Sequence, residues 1–286
     1  MANVLKHDRR VAVLHTLLEG ASVRSTERLT GVHRDTILRL MVKVGTGCDV
    51  LLDKSMRDLP CERLELDELW AFVGKKQRHV TFDDDMDRVG DTWTYVAIDS
   101  DTKLIPTFMT GKRDENSTAA FISDLKGRLR KRVQITTDGL RMYATAIGNE
   151  FGMDGVDYAT LVKQYEEEPI GPGRYSPPKV TSTQKTPIFG EPVEEFVSTS
   201  YVERQNLSIR MGVRRFTRLT NAHSKKIENH RAMISLWFAF YNFVRVHGTL
   251  RVTPAMAAGL SDRVWTLSEL MLAATNAGTL VPADSR

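Results

Sequence analysis

The sequence predicts a mixed α/β fold preceded by a short all-helical unit. The main observation is a change of pattern along the 286 residues. Apolar residues recur at helical spacing up to about residue 44, and from Arg63 the period becomes two, as in a strand. Hydrophobic residues make up 41% and charged residues 27% of the chain. This is ordinary globular usage, and it excludes collagen-like, coiled-coil and fully disordered chains.

The N-terminal helices are predicted from apolar spacing and from glycines. Residues 9–20 form one helical run, and residues 22–44 predict a short helix, a turn at Gly31 and a second helix. A short helix, a glycine turn and a helix form the helix-turn-helix pattern. Such a unit either binds DNA or only packs as three helices. We predict a helix-turn-helix domain over residues 1–47 and a polar linker over 48–60.

Beyond the linker, the pattern predicts three strands, a helix, a strand and a helix. RLELDELWAFV is a strand, and residues 90–113 hold two more strands joined by a turn near Ser100. A capped helix follows over 114–130, then the short strand VQITT and a helix that ends near Phe151. This order is the opening of a ribonuclease-H-like sheet, although other α/β folds share parts of it.

An irregular insertion and further helices are predicted for the rest of the chain. Residues 165–199 contain six prolines, a density that excludes long helices and central strands. We therefore predict an irregular insertion with one hairpin around Gly190. Two helices follow, and residues 261–286 predict a C-terminal tail helix. The α/β domain as a whole is predicted over residues 61–260.

Charge and cysteine content narrow the class of protein. The net charge of +4 decides nothing alone, but residues 204–226 hold seven Lys or Arg and no acidic residue. Such a stretch is either a solvated face or a track for a polyanion. Two cysteines form neither a disulfide framework nor a zinc site. A polar N-terminus and the lack of a long apolar run predict a cytoplasmic protein.

Three carboxylates stand where they could converge on divalent cations. Asp138 follows a strand, Glu203 lies in the first turn of a helix, and Asp67 lies on the first predicted strand. Two divalent ions held by such groups stabilise the attacking and the leaving oxygen of a phosphodiester transfer. The alternative for Asp138 and Glu203 is an ordinary turn and ordinary helix capping. Glu68 competes with Asp67 on the same strand, and alternation alone does not choose between them.

Five segments together resemble a bacterial transposase of the insertion-sequence-one family, among the DDE transposases. They are LDELWAFVGKK (66–76), TTDGLRMY (136–143), TSYVERQNLSIR (199–210), RRFTRLTNAHSKK (214–226) and YNFVRVHGTLRVTPAMA (241–257). The resemblance covers about residues 60 to 260. It implies a ribonuclease-H-like catalytic domain whose acidic triad falls on Asp67, Asp138 and Glu203. It thereby favours Asp67 over Glu68.

The resemblance also implies an activity and its partners. A transposase of this kind binds terminal inverted repeats, cleaves at the element ends and joins the 3′ hydroxyls to target DNA. Two Mg²⁺ or Mn²⁺ ions would be held by the triad, and the partners would be double-stranded DNA and further copies of the chain, as a homodimer or larger assembly on the nucleoid. The alternatives are a regulator that binds DNA without chemistry and a nuclease that cuts without joining.

Cations from two segments are predicted to contact DNA. Those on the second helix-turn-helix helix and in the basic stretch are Arg34, Arg39, Lys43, Arg210, Arg214, Arg215, Arg218, Lys225 and Lys226. Seven helical steps of about 100° place Arg210 within about 20° of the face of Glu203. Two features depart from the relatives: a cysteine-rich zinc module is missing, and 65 residues separate Asp138 from Glu203.

Overall fold

A computed structural model describes residues 5–166, 179–217 and 220–279. The elements in chain order are α1 (His7–Leu18), α2 (Val23–Thr30), α3 (Arg34–Ser55), β1 (Arg63–Val73), β2 (Gly90–Asp99), β3 (Phe108–Gly111), α4 (Glu115–Lys126), β4 (Gln134–Thr137), α5 (Arg141–Phe151), β5 (Asp157–Tyr165), β6 (Val180–Phe189), α6 (Ser200–Gly212), α7 (Ile227–Phe243), α8 (Pro254–Ala257) and α9 (Leu267–Thr279). Within these ranges, no helix is both long and apolar enough to span a bilayer.

The strands form one six-stranded mixed sheet. Its order is β3-β2-β1-β4-β5-β6. The first three strands are an antiparallel meander, β4 and β5 run parallel to β1, and β6 returns antiparallel at the edge. The central strand β1 has buried residues on both faces, and these include the acidic Glu65 and Glu68. The predicted mixed α/β class is confirmed, and the arrangement is consistent with a ribonuclease-H-like domain.

The irregular insertion predicted over 165–199 is wrong for residues 180–189. These residues form β6, a regular strand paired with β5. Proline is tolerated there because β6 is an edge strand, and Pro187 lies opposite Ala159 in its ladder. The predicted hairpin around Gly190 is also wrong, since Gly190 follows the end of β6. Residues 167–178, which carry four of the six prolines, lie outside the described residues.

The N-terminal helices lie where the spacing predicted them. Helix α2 ends at Gly31, which adopts a left-handed conformation with φ 65°, and the chain turns into α3 at Arg34. Glycine suits this position because a side chain disfavours positive φ. The carboxylate of Glu27 accepts a hydrogen bond at 2.9 Å from the amide of Arg34, which ties the two helices together.

The linker predicted over 48–60 is wrong for its first half. Helix α3 continues to Ser55 and passes between α7 and α9. Two glycines allow this close approach: a Cβ at Gly45 or Gly47 would come within 2.0 Å of the carbonyl oxygens of Ala232 and Ala274. The N-terminal helices therefore share one core with the sheet domain. Helix α9 packs on α3 and is not a free tail, while residues 280–286 lie outside the described residues.

Candidate active site

The sheet brings Asp67 and Asp138 next to each other. Strands β1 and β4 are parallel and pair Glu65 with Thr136. Asp67 lies two residues beyond Glu65 on β1, and Asp138 is the first residue after β4, close enough for its charge to act on Asp67. The carboxylate of Asp138 accepts a hydrogen bond at 3.0 Å from the amide of Leu140, where the chain enters α5. The parallel pairing of β1 and β4 therefore places the two carboxylates at the same end of the neighbouring strands.

Asp67 is held from two sides. One carboxylate oxygen accepts a hydrogen bond at 2.8 Å from the Glu68 amide, and the other accepts one at 2.7 Å from the side-chain amide of Asn206. Asn206 lies on α6, three residues after Glu203. Asp67 therefore points toward the helix that carries the third carboxylate.

Three negatively charged side chains lie near one another around Asp67. Burial raises the pKa of Asp67 to about 6, and the charges of Asp138 and Glu203 add to the shift against the hydrogen bonds from Glu68 and Asn206. A bound cation offsets the repulsion between neighbouring carboxylates and lowers their pKa values. The oxygen donors suit Mg²⁺ or Mn²⁺ chemically. Within the described residues, however, no three His, Cys, Asp or Glu side chains are gathered closely enough to form a metal site.

Glu203 is engaged by other partners. It lies in the first turn of α6, where its carboxylate accepts a hydrogen bond at 2.7 Å from the Thr199 hydroxyl. The same oxygen pairs with the ammonium group of Lys163 on β5. Its side chain is 46% exposed, so it has room to change rotamer. The structure therefore gathers the two aspartates and holds the glutamate beside them.

Glu65 is a residue of the site that sequence reasoning missed. It lies on the same face of β1 as Asp67 and is 1% exposed. Its carboxylate accepts hydrogen bonds at 2.8 Å and 3.0 Å from the amides of Tyr201 and Val202 in the first turn of α6. These donors have no partner within the helix, and the helix dipole favours an anion there. Glu65 thus fixes the start of α6 on β1. An acidic residue within an apolar strand run was the available clue.

Glu68, the competing residue on β1, faces a different environment. Its side chain is buried and forms an ion pair of 3.2 Å with Arg113. Burial, helped by the charges of Asp138 and Asp67, raises the pKa of Glu68 to about 7 against the opposing charge of Arg113. Asp67, by contrast, contacts α6. The geometry therefore places Asp67 on the side of Glu203 and pairs Glu68 with an arginine.

The structure brings some of the predicted DNA-binding cations together. Arg34, Arg39 and Lys43 are exposed on α3, and Arg39 and Lys43, four residues apart, lie on the same face. Arg39 and Lys43 share a groove with Lys226, which lies at the start of α7. The two basic segments, far apart in sequence, therefore form one surface. Lys225 is exposed beside them.

Other predicted cations are placed differently. Arg215 is partly buried, and its guanidinium donates to the Ser224 hydroxyl at 2.9 Å and lies 3.1 Å from the Met41 sulfur. Burial lowers the pKa of Arg215 to about 10. It thus joins α3 to the segment before α7. Arg214 is exposed, Arg210 donates at 3.3 Å to the Phe216 carbonyl, and Arg218 lies outside the described residues.

Comparison with known families gives one match. The family model DDE_Tnp_IS240, described as a DDE domain, matches residues 78–168. The matched segment begins after β1 and ends just beyond β5, so it contains Asp138 but neither Asp67 nor Glu203. No curated protein matches the chain. The match supports a member of the DDE transposase superfamily.

Proposed function

We propose that this protein is a DDE transposase of the insertion-sequence-one type. It would bind the terminal inverted repeats of a mobile element, cleave at the element ends and join the freed 3′ hydroxyls to target DNA. The observation that carries the proposal is the proximity of Asp67 on β1 and Asp138, just after the parallel strand β4, beside the helix that carries Glu203. The DDE-domain match over 78–168 supports the same class.

The roles in the site follow from the contacts. Asp67, Asp138 and Glu203 would hold two divalent ions, which when bound stabilise the attacking and the leaving oxygen of the phosphodiester. Asn206 orients Asp67 by donating to its carboxylate. Glu65 holds the start of α6, and with it Glu203, at a fixed place on β1. The chain therefore contributes both the ligands and the groups that position them.

The exposed side of α3 would contact the inverted repeats. A helix that follows a short turn presents its first residues to the major groove in helix-turn-helix proteins. Arg34 and Arg39 occupy those positions, and Lys43 with Lys225 and Lys226 extends the basic surface. Because α3 itself is packed between α7 and α9, this surface has a fixed place relative to the acidic site. Joining two ends in one event would require two or more copies of the chain on the nucleoid.

Cleavage and joining of defined DNA substrates test this function. The full chain would be incubated with Mg²⁺ and a labelled duplex carrying the inverted repeat found beside its gene. We expect a nick at the end of the repeat, and joined products when the duplex is supplied already cut. Asp138→Asn is the inactive control.

The competing functions give other outcomes in this assay. Binding without a nick in Mg²⁺ or Mn²⁺ would indicate a regulator, and nicking without joined products would indicate a nuclease. Either result would overturn the proposal.

A further inference from the structure

Lys163 lies beside the acidic site, and the proposed function gives it no role. It lies on β5, which runs parallel to β4 and pairs Thr137 with Thr160. Its side chain is only 20% exposed, and its ammonium group pairs with the carboxylate of Glu203. A solvent-facing ammonium group therefore lies beside the acidic site.

The contact between Lys163 and Glu203 conflicts with metal binding at Glu203. The same oxygen, Oε1, accepts from the Thr199 hydroxyl and meets the ammonium of Lys163. A metal ion on this carboxylate would lie next to the ammonium, and two cations at that distance repel each other. Glu203 must therefore leave Lys163 before it joins Asp67 and Asp138 as a ligand. This agrees with the finding that the three carboxylates are not gathered within the described residues.

The departure of Glu203 leaves Lys163 without an anionic partner. Among the described residues, Glu203 is the sole carboxylate within 4.0 Å of its ammonium group. An ammonium group that loses its carboxylate partner attracts the nearest other anion by Coulomb interaction. The anion that enters this site with the substrate is a phosphate of the DNA strand. We propose that Lys163 is a DNA-binding residue of the site, which exchanges Glu203 for a substrate phosphate when metal binds. This inference rests on the proposed function.

The first part of the test measures metal binding without DNA. Mn²⁺ titrations followed by electron paramagnetic resonance would compare the full chain with Lys163→Met, which keeps most of the side-chain stem. Because the metal no longer competes with an ammonium, Lys163→Met should bind Mn²⁺ about two- to fivefold more tightly, the range expected for a partly exposed ion pair. Lys185→Met is the matched control, since Lys185 on neighbouring β6 donates to the Glu194 carbonyl.

The second part measures DNA binding with Ca²⁺ replacing Mg²⁺ or Mn²⁺ in the buffer. Lys163→Met should bind the pre-cut end more weakly, and the slope of log affinity against log salt should shrink by about one unit, as for one lost phosphate contact. Lys163→Arg should restore the slope. For Lys163→Met we therefore expect tighter Mn²⁺ binding together with weaker DNA binding. A lysine that only supports the fold would weaken both.

The two proposals fail in different ways. If wild type binds neither Mn²⁺ nor the cut end, the proposed function is wrong. If wild type binds both and Lys163→Met behaves like Lys185→Met in both titrations, the role of Lys163 alone is wrong. Weaker Mn²⁺ binding in Lys163→Met, or an unchanged salt slope, also overturns that role.

Discussion

The aspartates and the glutamate of the candidate site are positioned by different means. Asp67 lies on β1 and Asp138 directly after the neighbouring parallel strand β4, so the pairing of these strands brings the two aspartates together. Glu203 lies on a helix 65 residues after Asp138, and its place depends on side chains: Glu65 at the helix start, and Thr199 and Lys163 at its carboxylate. The strand-borne half of the site, Asp67 and Asp138, is preorganised. The helix-borne half, α6 with Glu203, can be moved by changing single residues.

The difference indicates where the site can adapt. The backbone of Asp67 is fixed in the ladder with β2, and the carboxylates of Asp67 and Asp138 accept hydrogen bonds from nearby amides, so we expect the aspartate pair to keep its geometry with or without ligands. A helix carboxylate needs only a new rotamer and new partners. We therefore expect variants of the aspartates to act through lost metal ligands. Variants around Glu203 should act through the position of α6 and through competition for its carboxylate.

The largest effect is expected from amide substitutions of the triad. Asp67→Asn, Asp138→Asn and Glu203→Gln each remove a ligand charge at nearly constant volume, so each should lower strand cleavage about 10³-fold or more, equivalent to about 4 kcal/mol. Thermal unfolding and repeat binding should stay near wild type. Cleavage of a labelled repeat duplex is the measurement.

Glu68→Gln tests which residue of β1 belongs to the site. It should keep cleavage, because Glu68 pairs with Arg113. If Asp67→Asn cleaves normally while Glu68→Gln is inactive, the ligand on β1 is Glu68, and the role assigned to the contact between Asp67 and α6 is wrong.

An intermediate effect is expected from the anchor of α6. Glu65→Ala leaves the buried amides of Tyr201 and Val202 without their acceptor, which costs about 1–3 kcal/mol of unfolding free energy. Because the first turn of α6 carries Glu203, cleavage should fall further than the lost stability explains. Urea denaturation and cleavage rates at a temperature where both proteins are folded separate the two effects.

The matched control is Glu62→Ala, just before β1. Glu62 is exposed and pairs with Lys131 on the surface, so both measurements should stay near wild type. If Glu65→Ala loses stability but cleaves at the wild-type rate, α6 is held in place by other contacts, and the comparison of the two halves loses its main support.

Much of the sheet could be predicted from the sequence. Strands β1 to β4 follow from alternating or continuous apolar runs, α4 follows from capped helical spacing, and α5 is the helix expected after the strand VQITT. Strand β5 is not predicted, and two further predictions fail for opposite reasons. Proline density argues against a strand at β6, although an edge strand tolerates Pro187. The polar sequence over 48–60 predicts a linker, although α3 continues to Ser55, and Gly45 and Gly47 let α7 and α9 pack closely on it.

The site could be predicted only in part, because the hydrogen bonds and ion pairs that position its carboxylates join residues far apart in the sequence. Asp138 at a strand end and Asp67 on the first strand are visible in local patterns. The contact of Glu65 with Val202 joins residues 137 positions apart, and that of Lys163 with Glu203 joins residues 40 apart. Local spacing carries no information on such pairs, so their partners appear only once the chain is folded.

The smallest effect is expected at Arg210, on the helix-borne half. Its offset from Glu203 corresponds to a rise of about 10 Å on nearly the same face, which suits a contact with a neighbouring phosphate. Its guanidinium also donates to the Phe216 carbonyl at 3.3 Å, so it ties α6 to the turn after it. Arg210→Ala should reduce the salt slope of end binding by about one unit and lower strand transfer, with Mn²⁺ affinity kept.

A charge-conserving variant separates the two roles of Arg210. Arg210→Lys keeps the positive charge for a phosphate but loses the planar guanidinium, so it should restore the salt slope. Arg204→Ala is the control on α6, because Arg204 lines the cleft with Tyr241 on another side of the helix, and it should leave joining at a pre-cut end unchanged. If Arg210→Ala keeps the wild-type slope and joins normally, Arg210 only ties the turn to α6. Phosphate binding near Glu203 would then depend on Lys163, which contacts the Glu203 carboxylate from β5.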